Sequence, residues 1–173
     1  GLLLLTDPPT CEHRRVCFEL STARRKSPRL EFWDRRGLGT MSLLAPELFA
    51  QLQSRLGKDA LDLPVEDWTS MLSQTARDIK IVLLDQSLVA GIGNLYASEM
   101  LFAARIDPRK RCTALRPDDW RRLHAAMLDI LHEAVKYEGS TLGDGTYRNA
   151  LNKAGGYQNH HRVYDREDQP CPV

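Results

Sequence analysis

The chain has 173 residues, of which 42% are hydrophobic, and its formal net charge is only +1. This length suits one domain or two small subdomains with a buried core, and no apolar run is long enough to cross a membrane. A charge so close to zero neither indicates nor excludes a polyanionic partner, so any case for nucleic acid depends on where the charges lie.

The four cysteines form no CxxC pair and show no regular spacing. Nothing resembles a signal peptide, so reduced thiols in a cytoplasm fit the sequence best. Cys11 and Cys17 are too irregularly placed for a zinc finger, and we interpret them as buried or surface thiols.

The first forty residues predict strands. Residues 13–20 and 30–33 place apolar side chains at every second position, and the run 2–5 is a candidate third strand. The polar, basic stretch 21–29 suits the connection between two of them. Because three strands leave an apolar sheet face uncovered, we expect more strands to precede them in the whole protein.

From residue 46 onward the apolar pattern changes to the helical period. The predicted helices cover 46–56, 65–77, 79–88, a segment through Leu95 and Ala103, and 118–137. The last of these carries one apolar stripe, made of Leu123, Met127, Ile130, Leu131 and Ala134. After Gly139 the chain becomes polar and rich in glycine, which predicts a loop, and residues 160–166 have weak strand character.

The strongest local signal is the tetrapeptide Gly91, Ile92, Gly93, Asn94. Two glycines let the backbone approach a ligand closely, and Asn94 is a favourable N-cap for the helix that follows. The N-terminus of a helix attracts anions, and Lys80 could add a mobile positive charge, so a phosphate group is the expected ligand. The plain alternative is a helix connection that needs glycine only for sterics.

A second signal is the glycine-bracketed loop from Asp34 to Thr40, which follows a predicted strand. Arg36 could reach a base edge or a phosphate, and Leu38 could fill the gap that an extruded base leaves in DNA. The alternative is a solvated hairpin with Leu38 tucked into the core.

Three further groups carry weaker signals. A basic cluster could touch a nucleic-acid backbone or be plain solvated surface, and it consists of Arg105, Arg109, Lys110, Arg111 and Arg116. The pair His160 and His161 could bind a metal, but tail surface is the better interpretation without neighbouring ligands. Glu99 and Asp144 are candidate acids, yet neither is paired with a nucleophile at a diagnostic spacing.

Residues 80–108, KIVLLDQSLVAGIGNLYASEMLFAARIDP, closely resemble the helix-two-turns-helix segment of the formamidopyrimidine-DNA glycosylase and endonuclease VIII family. Residues 7–20 and 32–40 resemble the last strands of that family's N-terminal β-sandwich. Residues 139–149 resemble its lesion-covering loop, and residues 162–172 resemble the lead-in to its C-terminal zinc finger.

The resemblance implies an enzyme that removes oxidised bases from DNA and then cuts the abasic strand, using an N-terminal proline as nucleophile. We expect this chain to be a fragment without that proline, and therefore without catalytic residues or turnover. Cys171 matches the first of four zinc-binding cysteines, so zinc is expected in the whole protein and not in this chain.

The resemblance also implies roles for individual residues. Lys80 and Asn94 match the family's phosphate-binding pair, which agrees with the helix-start argument above. His13 matches a histidine that contacts the DNA backbone, and Arg36 matches the arginine inserted opposite the orphaned base. The family usually has phenylalanine where this chain has Leu38, so the wedge should stack more weakly, by about 1 kcal/mol.

We therefore predict an α+β chain with three parts: the end of a β-sandwich (1–42), a helical helix-two-turns-helix domain (43–138), and a lesion-type loop with an incomplete zinc-finger arm (139–173). The expected partner is double-stranded DNA with oxidised bases, preferably purines, or abasic sites. We expect a monomer that acts with the bacterial nucleoid and touches no membrane. The alternatives are a non-catalytic DNA-binding or scaffolding module and a protein-interaction domain.

Overall fold

The computed structural model of the chain describes residues 1–21, 28–142 and 147–172. Most of the predicted connection 21–29 and the candidate acid Asp144 lie outside the described residues. The mixture of sheet and helix that the sequence predicts is confirmed. In the described part of the chain, no helix combines the length and the apolar character needed to cross a membrane.

Three strands near the N-terminus form one antiparallel sheet in the order β1-β3-β2. They are β1 (Leu2–Leu4), β2 (Arg14–Glu19) and β3 (Arg29–Trp33). Phe32 on the central strand is in register with Leu3 on one side and Val16 on the other, and a bulge interrupts β2 near Arg14. All three predicted strands are therefore present.

In the described part of the chain, five α-helices and one short strand pair follow the sheet. The helices are α1 (Pro46–Gln53), α2 (Val65–Leu72), α3 (Ile79–Leu83), α4 (Asn94–Ala103) and α5 (Pro117–Lys136). The strand pair is parallel and joins β4 (Lys58–Asp59) to β5 (Val89–Ala90). Every residue of the stripe predicted on α5 is buried, so its amphipathic pattern does mark a core face.

The chain divides into two compact units. The first consists of Gly1–Leu43 and Ala134–His160, and its most buried large side chains include Leu4, Trp33 and Tyr157. The second consists of Leu44–Glu133 and the segment from His161 onward, and its core contains Trp68, Trp120, Leu123 and Met127. The three-part division predicted from the sequence stays a prediction.

Three helices, α1, α2 and α3, end earlier than the apolar period predicts. Beyond α2 and α3, polar side chains bind the backbone. After α3, the Asp85 carboxylate accepts hydrogen bonds from both the N–H and the hydroxyl of Ser87. After α2, the Thr75 hydroxyl accepts the Arg77 N–H. The weak strand character of residues 160–166 was misleading, because that described segment contains bends and turns and no strand.

The four thiols should differ in reactivity. Cys112 is fully buried, and burial raises its pKa to about 11, whereas Cys11, Cys17 and Cys171 are exposed. Because the thiolate is the reactive form, we expect a thiol reagent at pH 8 to label Cys11 and Cys171 rapidly, Cys17 more slowly because desolvation raises its pKa as well, and Cys112 only after unfolding. Labelling in denaturant supplies the control with four reactive thiols, and equally fast modification of Cys112 in the folded chain would contradict the prediction.

Candidate nucleic-acid interface

The two glycines of the loop between α3 and α4 serve different purposes. Gly91 has φ +97°, a conformation that side chains disfavour, so the turn itself requires glycine there. Gly93 has an ordinary φ of −100°, and a Cβ atom placed on it would meet nothing within 4 Å. The fold therefore gives no steric reason for glycine at 93, and the backbone there faces open space.

The side chain of Gln86 closes this loop. Its carbonyl oxygen accepts the Gly91 N–H at 3.0 Å, and its amide group donates to the Ile92 carbonyl at 2.9 Å. Ile92 between the glycines is buried, which fixes the loop from the other side. Sequence reasoning missed Gln86, because no local pattern marks a glutamine that reaches over a loop.

Helix α4 presents an uncapped start to its surroundings. Gly93 occupies the N-cap position in place of Asn94, so the helix begins at Asn94, one position earlier than the sequence suggested. No side chain caps the helix, and Asn94 is exposed. Because first-turn N–H groups have no carbonyl partner within a helix, and the helix dipole is positive at this end, the arrangement favours an anion.

Lys80 lies beside this helix start. Its ammonium group donates to the Ser98 hydroxyl at 3.0 Å, and that hydroxyl donates to the Asn94 carbonyl at 2.9 Å. The structure thus places Lys80 and Asn94, which are 14 positions apart in sequence, at the two ends of one hydrogen-bonded chain. The helical spacing of Asn94 and Ser98 was the one available sequence signal for this link.

Glu99, on the following position of α4, is a structural residue. Only 1% of its surface is exposed, and its carboxylate accepts the backbone N–H groups of Arg162, Val163 and Tyr164 at 2.8–3.0 Å. This carboxylate therefore fastens the C-terminal segment to α4. The sequence marked Glu99 only as a candidate acid.

Most of the basic cluster is engaged within the fold. Arg109 pairs with Asp107, and Arg111 donates to the Ala76 carbonyl at 2.7 Å. Lys110 pairs with the buried Asp119 at 3.0 Å. These contacts favour the interpretation as structural surface over a backbone-binding patch.

The Asp119 carboxylate accepts hydrogen bonds from several donors near the start of α5. It accepts the Arg116 N–H at 3.0 Å and bonds to Lys110 at 3.0 Å and Arg122 at 2.6 Å. These donors hold the pKa of Asp119 well below its ordinary value of 3.8, with the Arg116 N–H as the largest cause. The contact with Arg116 has the form of half a capping box.

The loop after β3 lies in the first unit and is organised by Asp34. Its buried carboxylate accepts the Gly39 N–H at 2.7 Å, which closes the loop and lowers the pKa of Asp34. Gly37 at φ +66° supplies the turn. Arg36 and Leu38 are left at the surface, and with 75% of its surface exposed Leu38 is not tucked into the core.

The histidines contact aromatic rings. The His13 ring meets Trp33 edge to face with 5.6 Å between centroids, and that side chain keeps 27% of its surface exposed. His160 stacks on Tyr137 at 4.3 Å, and His161 meets Tyr164 edge to face. These contacts favour ring packing over metal binding for the His160 and His161 pair.

The residues that the structure describes do not assemble a zinc site. Across residues 1–21, 28–142 and 147–172, no group of three or more histidine, cysteine or acidic side chains could hold a metal ion. Cys171 is exposed and has a free thiol. One thiolate cannot replace the four ligands of a structural zinc centre.

Known proteins match this chain closely. Residues 56–145 match the family model described as the formamidopyrimidine-DNA glycosylase H2TH domain. The formamidopyrimidine-DNA glycosylase of Chloroflexus aurantiacus is 38% identical over 174 residues, covering 99% of this chain and 61% of that relative. The enzyme of the same name from Thermus thermophilus is 48% identical over 102 residues, covering 59% of this chain and 38% of the relative.

Solved structures give the same result. The MutM (Fpg) protein of Thermus thermophilus superposes with a TM-score of 0.83 at 35% identity, covering 99% of this chain and 63% of that one. Lactococcus lactis Fpg, in a complex with abasic-site DNA, gives 0.80 at 29% identity, covering 98% of this chain and 61% of that one. The chain thus spans about three fifths of the length of these two structures.

Proposed function

Because the chain belongs to the formamidopyrimidine-DNA glycosylase family, we propose that it is part of a DNA base-excision repair enzyme that removes oxidised bases and cleaves abasic sites. Its own contribution is to bind damaged duplex DNA through the backbone phosphates. The Lactococcus lactis relative in complex with abasic-site DNA supports duplex DNA as the partner.

The observation that carries this proposal is the open backbone at Gly93. Since neither φ nor packing within the chain requires glycine there, close approach of a ligand is the remaining physical reason for lacking a side chain. The N–H groups at the start of α4 and the Lys80 ammonium then meet a phosphate oxygen from two sides. Asn94 adds a side-chain donor at the same point.

The loop after β3 acts on the base stack. Leu38 at the exposed tip fills the space left by an extruded base, and Arg36 reaches the base left without its partner. Arg36 lies 3.5 Å from the hydroxyl of Tyr147, which limits where the guanidinium can point. His13 contacts the phosphate backbone through its exposed edge.

The remaining parts of the proposal follow the family pattern. The three-stranded sheet is the end of a β-sandwich, and the segment before Cys171 leads into a zinc finger whose other ligands are not among these residues. The lesions are oxidised purines, and the protein acts as a monomer. No residue of this chain matches the family's proline nucleophile, so we expect these 173 residues to bind without turnover.

The decisive test measures binding of the chain to a duplex with an abasic-site analogue across a salt series. We expect Lys80→Ala combined with Asn94→Ala to weaken binding by about tenfold or more and to reduce the salt slope by about one unit, because a phosphate contact is lost. Gly93→Ala should weaken binding as well, since its methyl group occupies the space that the phosphate needs.

Lys136→Ala is the matched control, because it removes an exposed lysine from the end of α5 and should leave the affinity unchanged. Thermal unfolding of each variant separates lost contacts from lost folding. An affinity that changes neither with salt concentration nor with the double substitution would overturn the proposal and favour a protein-interaction domain. Excision of an oxidised purine at enzyme-like rates would overturn the expected lack of turnover.

A further inference from the structure

We propose that Ser98 is the positioning residue that holds the Lys80 ammonium group over the start of α4, in the place where it meets a DNA phosphate. This inference rests on the function proposed above. Ser98 makes two hydrogen bonds at once: its hydroxyl oxygen accepts from the Lys80 ammonium group, and its hydroxyl group donates to the Asn94 carbonyl. The second bond fixes the direction in which the first can form.

The surroundings of Lys80 explain why an acceptor is needed. A cavity of about 250 Å³ opens beside the lysine and is lined by Lys80, Ser98, Leu101, Phe102, Ile106, Pro108 and Val163. Ser98 alone among these described residues carries a side-chain acceptor for an ammonium group. Without that hydroxyl, the half-buried lysine would have room to move and no side chain in this wall to hold it.

Holding the lysine matters because its side chain is long. A lysine has about 2 kcal/mol of rotamer entropy to lose when it is fixed by a ligand. A contact that already orders the ammonium group removes part of this cost before DNA arrives. Since Ser98 uses one of the three ammonium N–H donors, two stay available for phosphate oxygens.

The test is a double-mutant cycle on binding to the abasic-analogue duplex, with Ser98→Ala, Lys80→Ala and the combination of the two. We expect Ser98→Ala to weaken binding about fivefold to tenfold, because the lysine then has to lose on binding the rotamer entropy that Ser98 had already removed. In the Lys80→Ala background the same change should alter affinity by less than about twofold, because its effect passes through the lysine.

Two measurements separate positioning from folding. Alanine is a better helix former than serine, so the unfolding temperature of Ser98→Ala should stay the same or rise while its affinity falls. Ser98→Thr keeps a hydroxyl that can bond to the Asn94 carbonyl in the same way, and it should restore the affinity to within about twofold of the unchanged chain.

Each other outcome has a definite meaning. If Lys80→Ala weakens binding and Ser98→Ala does not, Ser98 has no positioning role while the phosphate contact stands. If the two effects are additive, Ser98 acts independently of Lys80 and the inference is wrong. If Lys80→Ala combined with Asn94→Ala leaves binding unchanged, the proposed phosphate contact fails, and the role of Ser98 fails with it.

Discussion

Replacement of Glu99 by alanine should lower the free energy of unfolding by about 3–4 kcal/mol, which is the largest effect we expect from one side chain. The carboxylate accepts three backbone N–H groups from residues 162–164 and is almost fully buried. Its removal leaves three donors with only partial access to water and a gap beside α4. The C-terminal segment should then detach first, giving faster proteolysis within residues 162–172.

Urea denaturation of the two forms measures this loss, and Glu99→Gln is the matched variant. Glutamine keeps the size of the side chain and one acceptor oxygen, so it should lose about half as much stability. Glu47→Ala on the exposed surface of α1 is the control for removing a glutamate as such, and it should change stability by less than about 0.5 kcal/mol. Equal stability of the Glu99→Ala and Glu47→Ala forms would show that the three hydrogen bonds contribute nothing.

Asp119→Ala should cost about 2–3 kcal/mol, because it strands the Lys110 and Arg122 charges and removes the acceptor for the Arg116 N–H. Lys110 and Arg122 are partly exposed, so the loss stays below that of a fully buried pair. The adjacent Asp118 is the matched control. Its side chain is 70% exposed and pairs with Arg121, so Asp118→Ala should have little effect on unfolding.

The same carboxylate makes stability depend on pH. The pKa of Asp119 is lowered in the folded chain, so its stabilisation is complete above the ordinary value of 3.8 and is lost as the pH falls towards the folded value. Unfolding measured from about pH 5 downward should show a decline in stability that is smaller in Asp119→Asn. A decline of the same size in both forms would assign the acid sensitivity to other carboxylates.

The elements and the principal candidate site were accessible from sequence because their signals are local. Two-residue alternation predicted β2 and β3, the apolar run 2–5 indicated β1, and every residue of the stripe predicted on α5 is buried. Two glycines before Asn94 indicated an exposed helix start, which the structure contains. These patterns depend on neighbouring residues along one element, and a single sequence records them directly.

Helix ends were harder to predict, because the apolar period of the sequence continues beyond the last helical residue. The predicted helix 79–88 stops at Leu83 because Asp85 turns its carboxylate onto the Ser87 backbone, and this polar contact has no periodic signature. Conversely, residues 160–166 alternate weakly yet form turns. There the backbone N–H groups bond to the buried Glu99 carboxylate instead of to a neighbouring strand.

What the sequence determined by itself is therefore the three strands of the first sheet, the five α-helices, the family, and the candidate residues at the start of α4. Only the tertiary structure decided what holds them in place. Gln86 closing the glycine loop, Ser98 joining Lys80 to Asn94, and Asp119 neutralising Lys110 act across 4 to 18 positions of the chain. Such contacts depend on folding that brings separate segments within about 3 Å, and no local pattern of residues encodes that distance.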